Sequence, residues 1–418
     1  MSALDAVELL AEIADVGRDE RRGGYSRHVF DEDELWLRQW FAGRAAGLGM
    51  RTEPDGNGNL WAWWGTPGPG AVLTGSHLDS VPGGGAYDGP LGVASALAAV
   101  SRLMAEGIQP ARSLAVVVFA EEEGSRFGRA CLGSRLATGD ADPTVVRGLR
   151  DRDGITFAEA ARYAGPDPAG LGPVSWAAEA ACFVELHVEQ GRGLIDLAQP
   201  VAIGSSILAH GRWRLEFAGQ GNHAGTTGMA GRRDPVVAAA RTVVAARELG
   251  RAADADNSKK RQARATVGRV ELIPGGTNVI AARATAWLDA RADDDESLTA
   301  LVGDITQAAR QAADAEGCTA EVTQESLSPL VEFDAGLRDR IAALLPDAPL
   351  LATGAGHDAG VLAGLIPTAM LFVRNPSGVS HAPDEGATDE DCRAGVDALT
   401  AVLRDLACAP RGGKNAKT

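Results

Sequence analysis

Two rhythms alternate along the chain. Short apolar runs, Ala71-Val72-Leu73, Ser113 to Phe119 and Phe183 to Leu186, read as buried strands of an α/β sheet. Residues 91–107, LGVASALAAVSRLMAEG, repeat with helical spacing, as do residues 3–16 and 31–49. Asn59 to Trp64 reads as one more strand, its tryptophans packing in the core and at an edge. Residues 140–180 read as helices and loops without chemical signals. Near residue 208 the pattern changes. Residues 212–218, RWRLEFA, alternate as a half-exposed strand, and 233–250 form an amphipathic helix. Strands at 265–272 and 279–291 flank Pro274-Gly275-Gly276, then come a helix at 295–316 and a strand at 320–323. The order β-α-β-β-α-β is the split βαβ of ferredoxin-like domains. It predicts an inserted α+β domain at 208–325, with hinges near 205–210 and 324–329. The first domain is then 1–207 and 326–418, completed by strands at 350–353 and 368–373 and a helix at 388–407. Residues 409–418 read as a frayed tail.

Composition narrows the partners. The 418 residues suffice for two or three domains with sizeable cores, and the net charge of −16 argues against nucleic acid or an anionic membrane. Five scattered cysteines without a CxxC pair suit a reducing, cytoplasmic setting without disulfides or a cysteine zinc site. The N-terminal stretch reads as an acidic amphipathic helix rather than a signal peptide, and no apolar run approaches the roughly 20 residues that span a bilayer.

Polar residues recur where strands end. His77, Glu121-Glu122-Glu123, His187 and His381 each follow one, and Asp88 lies in the loop after His77. In open α/β sheets, ligands bind beyond the carboxyl ends of the strands. Histidine nitrogens and carboxylate oxygens are donors zinc accepts, and Asp79 is placed to take the second ring N–H of His77. Three imidazoles with Asp88 and Glu123 make five ligands for two metals, one carboxylate bridging, and two-metal sites activate water for hydrolysis. A neighbouring carboxylate then serves as general base. Taken alone, residues 71–88 read equally as a polar turn before a helix, and the glutamate run as a solvated loop. The apolar run before the glutamates and the glycine after them favour the functional reading.

Seven strings make a resemblance specific: GSHLDSVPGGGAYDGPLGV at 75–93, AEEEGSRFGRACLGS at 120–134, ELHVEQG at 185–191, GQGNHAGTT at 219–227, GGTNVIAARATAWLDAR at 275–291, GAGHDA at 354–359 and FVRNPSGVSHAPDE at 372–385. In this order they resemble the M20-type metallopeptidase/amidohydrolase superfamily. Within it they resemble the hydantoinase/carbamoylase group of N-carbamoyl-L-amino acid hydrolases, allantoate amidohydrolases and β-ureidopropionases.

The resemblance implies a zinc-peptidase-like catalytic domain with a central mixed sheet and an inserted lid that forms homodimers. It implies two divalent metal ions (zinc, or manganese, cobalt or nickel). Asp88 bridges, His77 and His187 complete one site, and Glu123 and His381 the other. Glu122 is the general base, and Asp79 orients His77. His223 stabilises the tetrahedral oxyanion. Gln190, Asn278 and Arg291 bind the substrate, the arginine forking onto its carboxylate. A histidine at 187, where many M20 peptidases carry a carboxylate, points to the carbamoylase group. Without the resemblance, Arg291 reads as a strand-end ion pair and His223 as a loop histidine. Gly228 stands where the family usually has proline, His357 reads as a supporting residue behind the ligands, and His28 and His210 as structural. The expected reaction is hydrolysis of a linear C–N bond in an N-carbamoyl L-amino acid, giving the amino acid, ammonia and CO2. Allantoate and N-formyl amino acids are alternative substrates. An M20 aminoacylase or dipeptidase, and a non-catalytic amino-acid-binding protein, are more remote readings.

Overall fold

A computed structural model describes residues 3–254 and 262–408; the expected tail at 409–418 lies outside them. The chain forms two compact units, 1–206 with 332–418, and 207–331. In chain order, the first unit contributes β1 (Arg51–Pro54), β2 (Leu60–Trp64), β3 (Val72–His77), β4 (Leu114–Phe119), β5 (Cys182–Val188) and β6 (Val201–Ile207). The second contributes β7 (Ala209–Ala218), β8 (Asn222–His223), β9 (Ala263–Ile273), β10 (Val279–Ile280), β11 (Arg283–Ala292) and β12 (Thr319–Ser328). After the insertion come β13 (Val331–Glu332), β14 (Leu350–Thr353) and β15 (Thr368–Val373).

The first sheet is mixed, in the order β1-β2-β4-β3-β5-β15-β6-β13, with β14 paired to β6. Its centre, β4-β3-β5-β15, is parallel, and every residue of those four strands is buried. This is why they stand out in sequence as near-continuous apolar runs. The helix Pro90–Ala105 is buried along almost its whole length, packed with the helices Ala6–Glu12 and Asp389–Leu403. The antiparallel flanks β1 and β6 carry no strand pattern in the sequence, because Thr52-Glu53 and Gly204-Ser205-Ser206 lack the apolar signal. The first helix is shorter than its 3–16 periodicity. Buried Arg27 donates to the Ile13 and Val16 carbonyls, turning the chain just beyond the helix end.

In the second unit an antiparallel sheet runs β12-β7-β11-β9, with the helices Pro235–Asp254 and Asp295–Ala315 packed on it. Trp213, Leu215, Phe217, Leu288, Leu298 and Ile305 fill the core between them. The single strand expected at 279–291 is broken: β10 leaves the sheet to pair with β8 as a separate two-stranded ribbon. No described helix is long and apolar enough to cross a membrane.

Candidate metal centre

His77 ends β3, His187 lies near the end of β5, the three glutamates follow β4, and His381 follows β15. All four strands are parallel, so these residues gather at one edge of the sheet, and Asp88 reaches them from the loop before helix Pro90–Ala105. His77 Nε2 lies 3.4 Å and His187 Nε2 3.2 Å from Asp88 Oδ1. His381 Nε2 lies 3.4 Å from Asp88 Oδ2 and 3.4 Å from Glu123 Oε2. The two oxygens of Asp88 thus face two donor groups, His77 with His187 and Glu123 with His381. Within each group, ligand atoms lie within 4.8 Å of one another.

The donors fit a divalent cation. His77 Nε2 and His187 Nε2 are buried without a hydrogen-bond partner among the described residues. Buried polar atoms are seldom left so, and nitrogens aimed at one carboxylate oxygen suit a shared ion. The other ring nitrogens are satisfied: His77 Nδ1 lies 3.0 Å from the Asp79 carbonyl and His187 Nδ1 2.9 Å from the Val188 carbonyl. Donating there fixes the tautomer that leaves each Nε2 a ligand. His357, Glu185 and His187 form a third donor group. With Nδ1 spent on Val188, His187 has one nitrogen to give, so this group and the first cannot both be filled.

The sequence cannot say which way each glutamate turns. Glu121 has φ 54° and points back, accepting the Arg126 and Phe127 N–H groups. Glu122 and Glu123 face the cluster. Glu122 Oε2 lies 3.7 Å from His77 Nε2, and its Oε1 accepts the Cys131 thiol at 3.4 Å. The Asp79 carboxylate is 3.6 Å from the His77 ring, farther than its own carbonyl, and accepts the Glu122 and Glu123 N–H groups at 3.2 and 3.1 Å. It braces the segment carrying the glutamates. Gln190 Nε2 donates to Asp88 Oδ2 at 2.8 Å, at the rim of the cluster.

Burial is the leading electrostatic influence on most of these groups. It pushes the Glu122 carboxyl well up, against the pull of His77 and with Asp358, Glu123 and Asp79 adding to it. Burial and Asp88 raise Glu123 to about 7. Burial also opposes charge on His77, but Glu122, Asp79 and Asp88 hold its ring well above the ordinary range. Burial would raise Asp88 too, yet His187, His381 and His77 hold it well below the usual carboxylate range. His357, buried and repelled by His187, is held neutral.

The remaining candidates lie in the second unit. His223 is in β8 and Asn278 just precedes β10, and the Asn278 carbonyl accepts the Ala224 N–H. Arg291 sits near the far end of β11, its Nε and Nη2 forked onto Asp289 at 2.8 and 3.0 Å. The ribbon hangs from the Arg283 end, so roughly 26 Å of extended strand separates that end from Arg291. The structure does not bring these three together within one unit. Gly228, the departure from proline, accepts Arg232 Nε through its carbonyl. Four residues that contact the cluster carry no signal of their own in the sequence: Cys131, Glu185, Ser380 and Glu385. Each lies inside one of the seven strings, and Ser380 adjoins His381.

A buried N/O centre at the carboxyl edge of a mixed sheet is the arrangement of a metallohydrolase, and comparison places it. The profile of Peptidase family M20/M25/M40 matches residues 73–405, and the chain belongs to this family. It is 35% identical to an N-carbamoyl-L-amino acid amidohydrolase of Geobacillus stearothermophilus, covering 95% of this chain and 97% of that protein. It is 32% identical to the allantoate amidohydrolase of Escherichia coli K12, covering 96% and 97%. A crystal structure of an amidase of the hydantoinase/carbamoylase family from Burkholderia vietnamiensis superposes with a TM-score of 0.84 at 29% identity, covering 98% of this chain and 99% of that one.

Proposed function

We propose that the protein hydrolyses the linear C–N bond of an N-carbamoyl L-amino acid, releasing the amino acid, ammonia and CO2. The observation that carries the hydrolytic reading is Asp88, one oxygen turned to two histidines and the other to a histidine facing Glu123, and the 35% identity to an N-carbamoyl-L-amino acid amidohydrolase supports the carbamoyl substrate. Two divalent ions, one held by His77, Asp88 and His187 and one by Asp88, Glu123 and His381, would polarise the ureido carbonyl and acidify the attacking water. Mixed nitrogen and oxygen donors accept zinc, manganese, cobalt or nickel alike.

The chain's own groups supply the rest. Glu122, buried beside His77 and held at Oε1 by Cys131, takes the proton from water and passes it to the leaving nitrogen. His223 Nδ1 accepts the N–H groups of Gly225 and Thr226, which puts its proton on Nε2 as a donor for the developing oxyanion. Arg291, oriented by Asp289, pairs with the substrate carboxylate, and Asn278 and Gln190 add polar contacts.

One amino-acid substrate cannot span β11. A homodimer resolves this if one subunit gives Arg291 and its partner gives His223 and Asn278 to the same substrate. Supporting it, β9 is an edge strand with Val270, Leu272 and Ile273 exposed, a face that pairs readily with a second copy.

The 32% identity to an allantoate amidohydrolase makes allantoate the second substrate to test. Metal-loaded protein offered N-carbamoyl-L-amino acids, allantoate, N-formyl-L-glutamate and a dipeptide should turn over a carbamoyl compound fastest. Cleavage of the dipeptide alone would replace this reading with a peptidase.

A further inference from the structure

Asp88 stands between both donor groups, yet it rides on a loop rather than on a strand or helix. What holds it lies almost three hundred residues later in the chain. Glu385 Oε1 accepts two successive backbone N–H groups, Tyr87 at 3.0 Å and Asp88 at 2.9 Å. Its Oε2 lies 3.0 Å from the Ser380 hydroxyl, which is also 3.3 Å from Asp88 Oδ2. Glu385 is 6% exposed. A buried carboxylate must be met by donors, and the donors here are the Asp88 loop itself and the neighbour of His381.

The fit leaves no slack. A Cβ on Gly85 would meet Glu385 Oε1 at 2.1 Å and its Cδ at 2.3 Å. Gly85 is not among the residues with positive φ, so only this contact demands glycine there.

We propose that Glu385 is a positioning residue of the metal centre. It ties the loop bearing Asp88 to the loop bearing His381, so the bridging and terminal ligands keep one spacing. The proposal rests on the two-cation reading above. Groups that hold ligands in place typically change metal affinity about ten- to a hundred-fold when removed.

The test measures Zn²⁺ affinity of the full-length protein by competition with a chelator, before any assay of turnover. Glu385→Ala and Gly85→Ala should each bind Zn²⁺ about ten- to a hundred-fold more weakly than wild type. Glu385→Gln should stay within about three-fold, because its amide oxygen still accepts both N–H groups and its NH2 meets the Ser380 oxygen. At saturating metal, Glu385→Ala should lose kcat with KM unchanged. Should Glu385→Ala fail to fold, judged by circular dichroism, the pair Gly85→Ala and Glu385→Gln still decides. Wild-type affinity in Gly85→Ala overturns the proposal. So does Glu385→Gln binding as weakly as the alanine variant, which would assign the effect to charge. A wild-type protein that takes up no Zn²⁺, Mn²⁺ or Co²⁺ sinks the metal reading itself, a different result from equal binding by all variants.

Discussion

Glu122 has one carboxylate oxygen tied to a thiol and the other turned toward His77, while its backbone N–H is held by Asp79. If Glu122 is the base proposed above, its carboxylate is held in place before water arrives. Glu122→Gln keeps the shape and loses the basicity. It should retain bound metal and lower kcat by about 10²–10⁴-fold, read by metal analysis beside steady-state kinetics. Activity close to wild type would remove Glu122 from the role. At this scale the sequence was partly legible. Histidines just past apolar strands are visible as a pattern, because a strand end fixes where they go. The division of labour among three adjacent glutamates is not, since it turns on a left-handed residue at Glu121. Cys131 lies inside the string 120–134, yet nothing in that string marks its thiol as the partner of Glu122, and the part of Asp79 facing the His77 ring most closely is its carbonyl, which any residue possesses.

Strands β3 and β4 bring His77 and the glutamates side by side, and their spacing depends on Gly75. Its φ is +147°, and a Cβ would come 1.9 Å from the Val117 carbonyl oxygen, inside the ladder itself. Gly75→Ala should therefore destabilise the protein by about 3 kcal/mol or more, measured by denaturant unfolding of the metal-free form. A loss under about 1 kcal/mol would mean the ladder bends at little cost. Elements buried on both faces announce themselves by continuous apolar runs, and β4 is the clearest. Elements with one wet face or few residues do not. The ribbon β8–β10 is two residues long on each side, held by backbone pairing that no side-chain pattern reports.

The molecule as a whole carries two further tests. If the site is shared between subunits, His223→Ala and Arg291→Ala homodimers are each nearly inactive. Refolded together in equal amounts they should recover about a quarter of wild-type activity, because each mixed dimer holds one intact set. No recovery in verified mixed dimers would return both residues to one chain. The second test concerns protons. Glu123 is raised from 4.5 to about 7 by burial and Asp88, and Glu121 from 4.5 to about 8 by burial and Asp79. His381 is raised from 6.5 to about 9, chiefly by its hydrogen bond to Asp88. Each binds its proton more tightly folded than unfolded, so each stabilises at low pH and loses that contribution as pH climbs through its folded value. From these three groups the metal-free protein should lose stability from about pH 4.5, the unfolded value of the two glutamates, up to about pH 9, the folded value of His381, seen as a falling denaturation midpoint. Saturating metal should remove the share of the slope due to Glu123 and His381, since a cation takes the deprotonated ligands, and leave that of Glu121, which faces away from the cluster. A midpoint rising with pH in the metal-free protein would contradict this.

His77, Asp88, Glu123 and His187 precede residues 207–331, and His381 follows them. During synthesis four donors therefore leave the ribosome well before the fifth, with more than a hundred residues of another compact unit emerging in between. On the two-cation reading proposed above, the second donor set closes only after the insertion has emerged, so a message truncated inside it would yield a polypeptide with the full set for one ion at most.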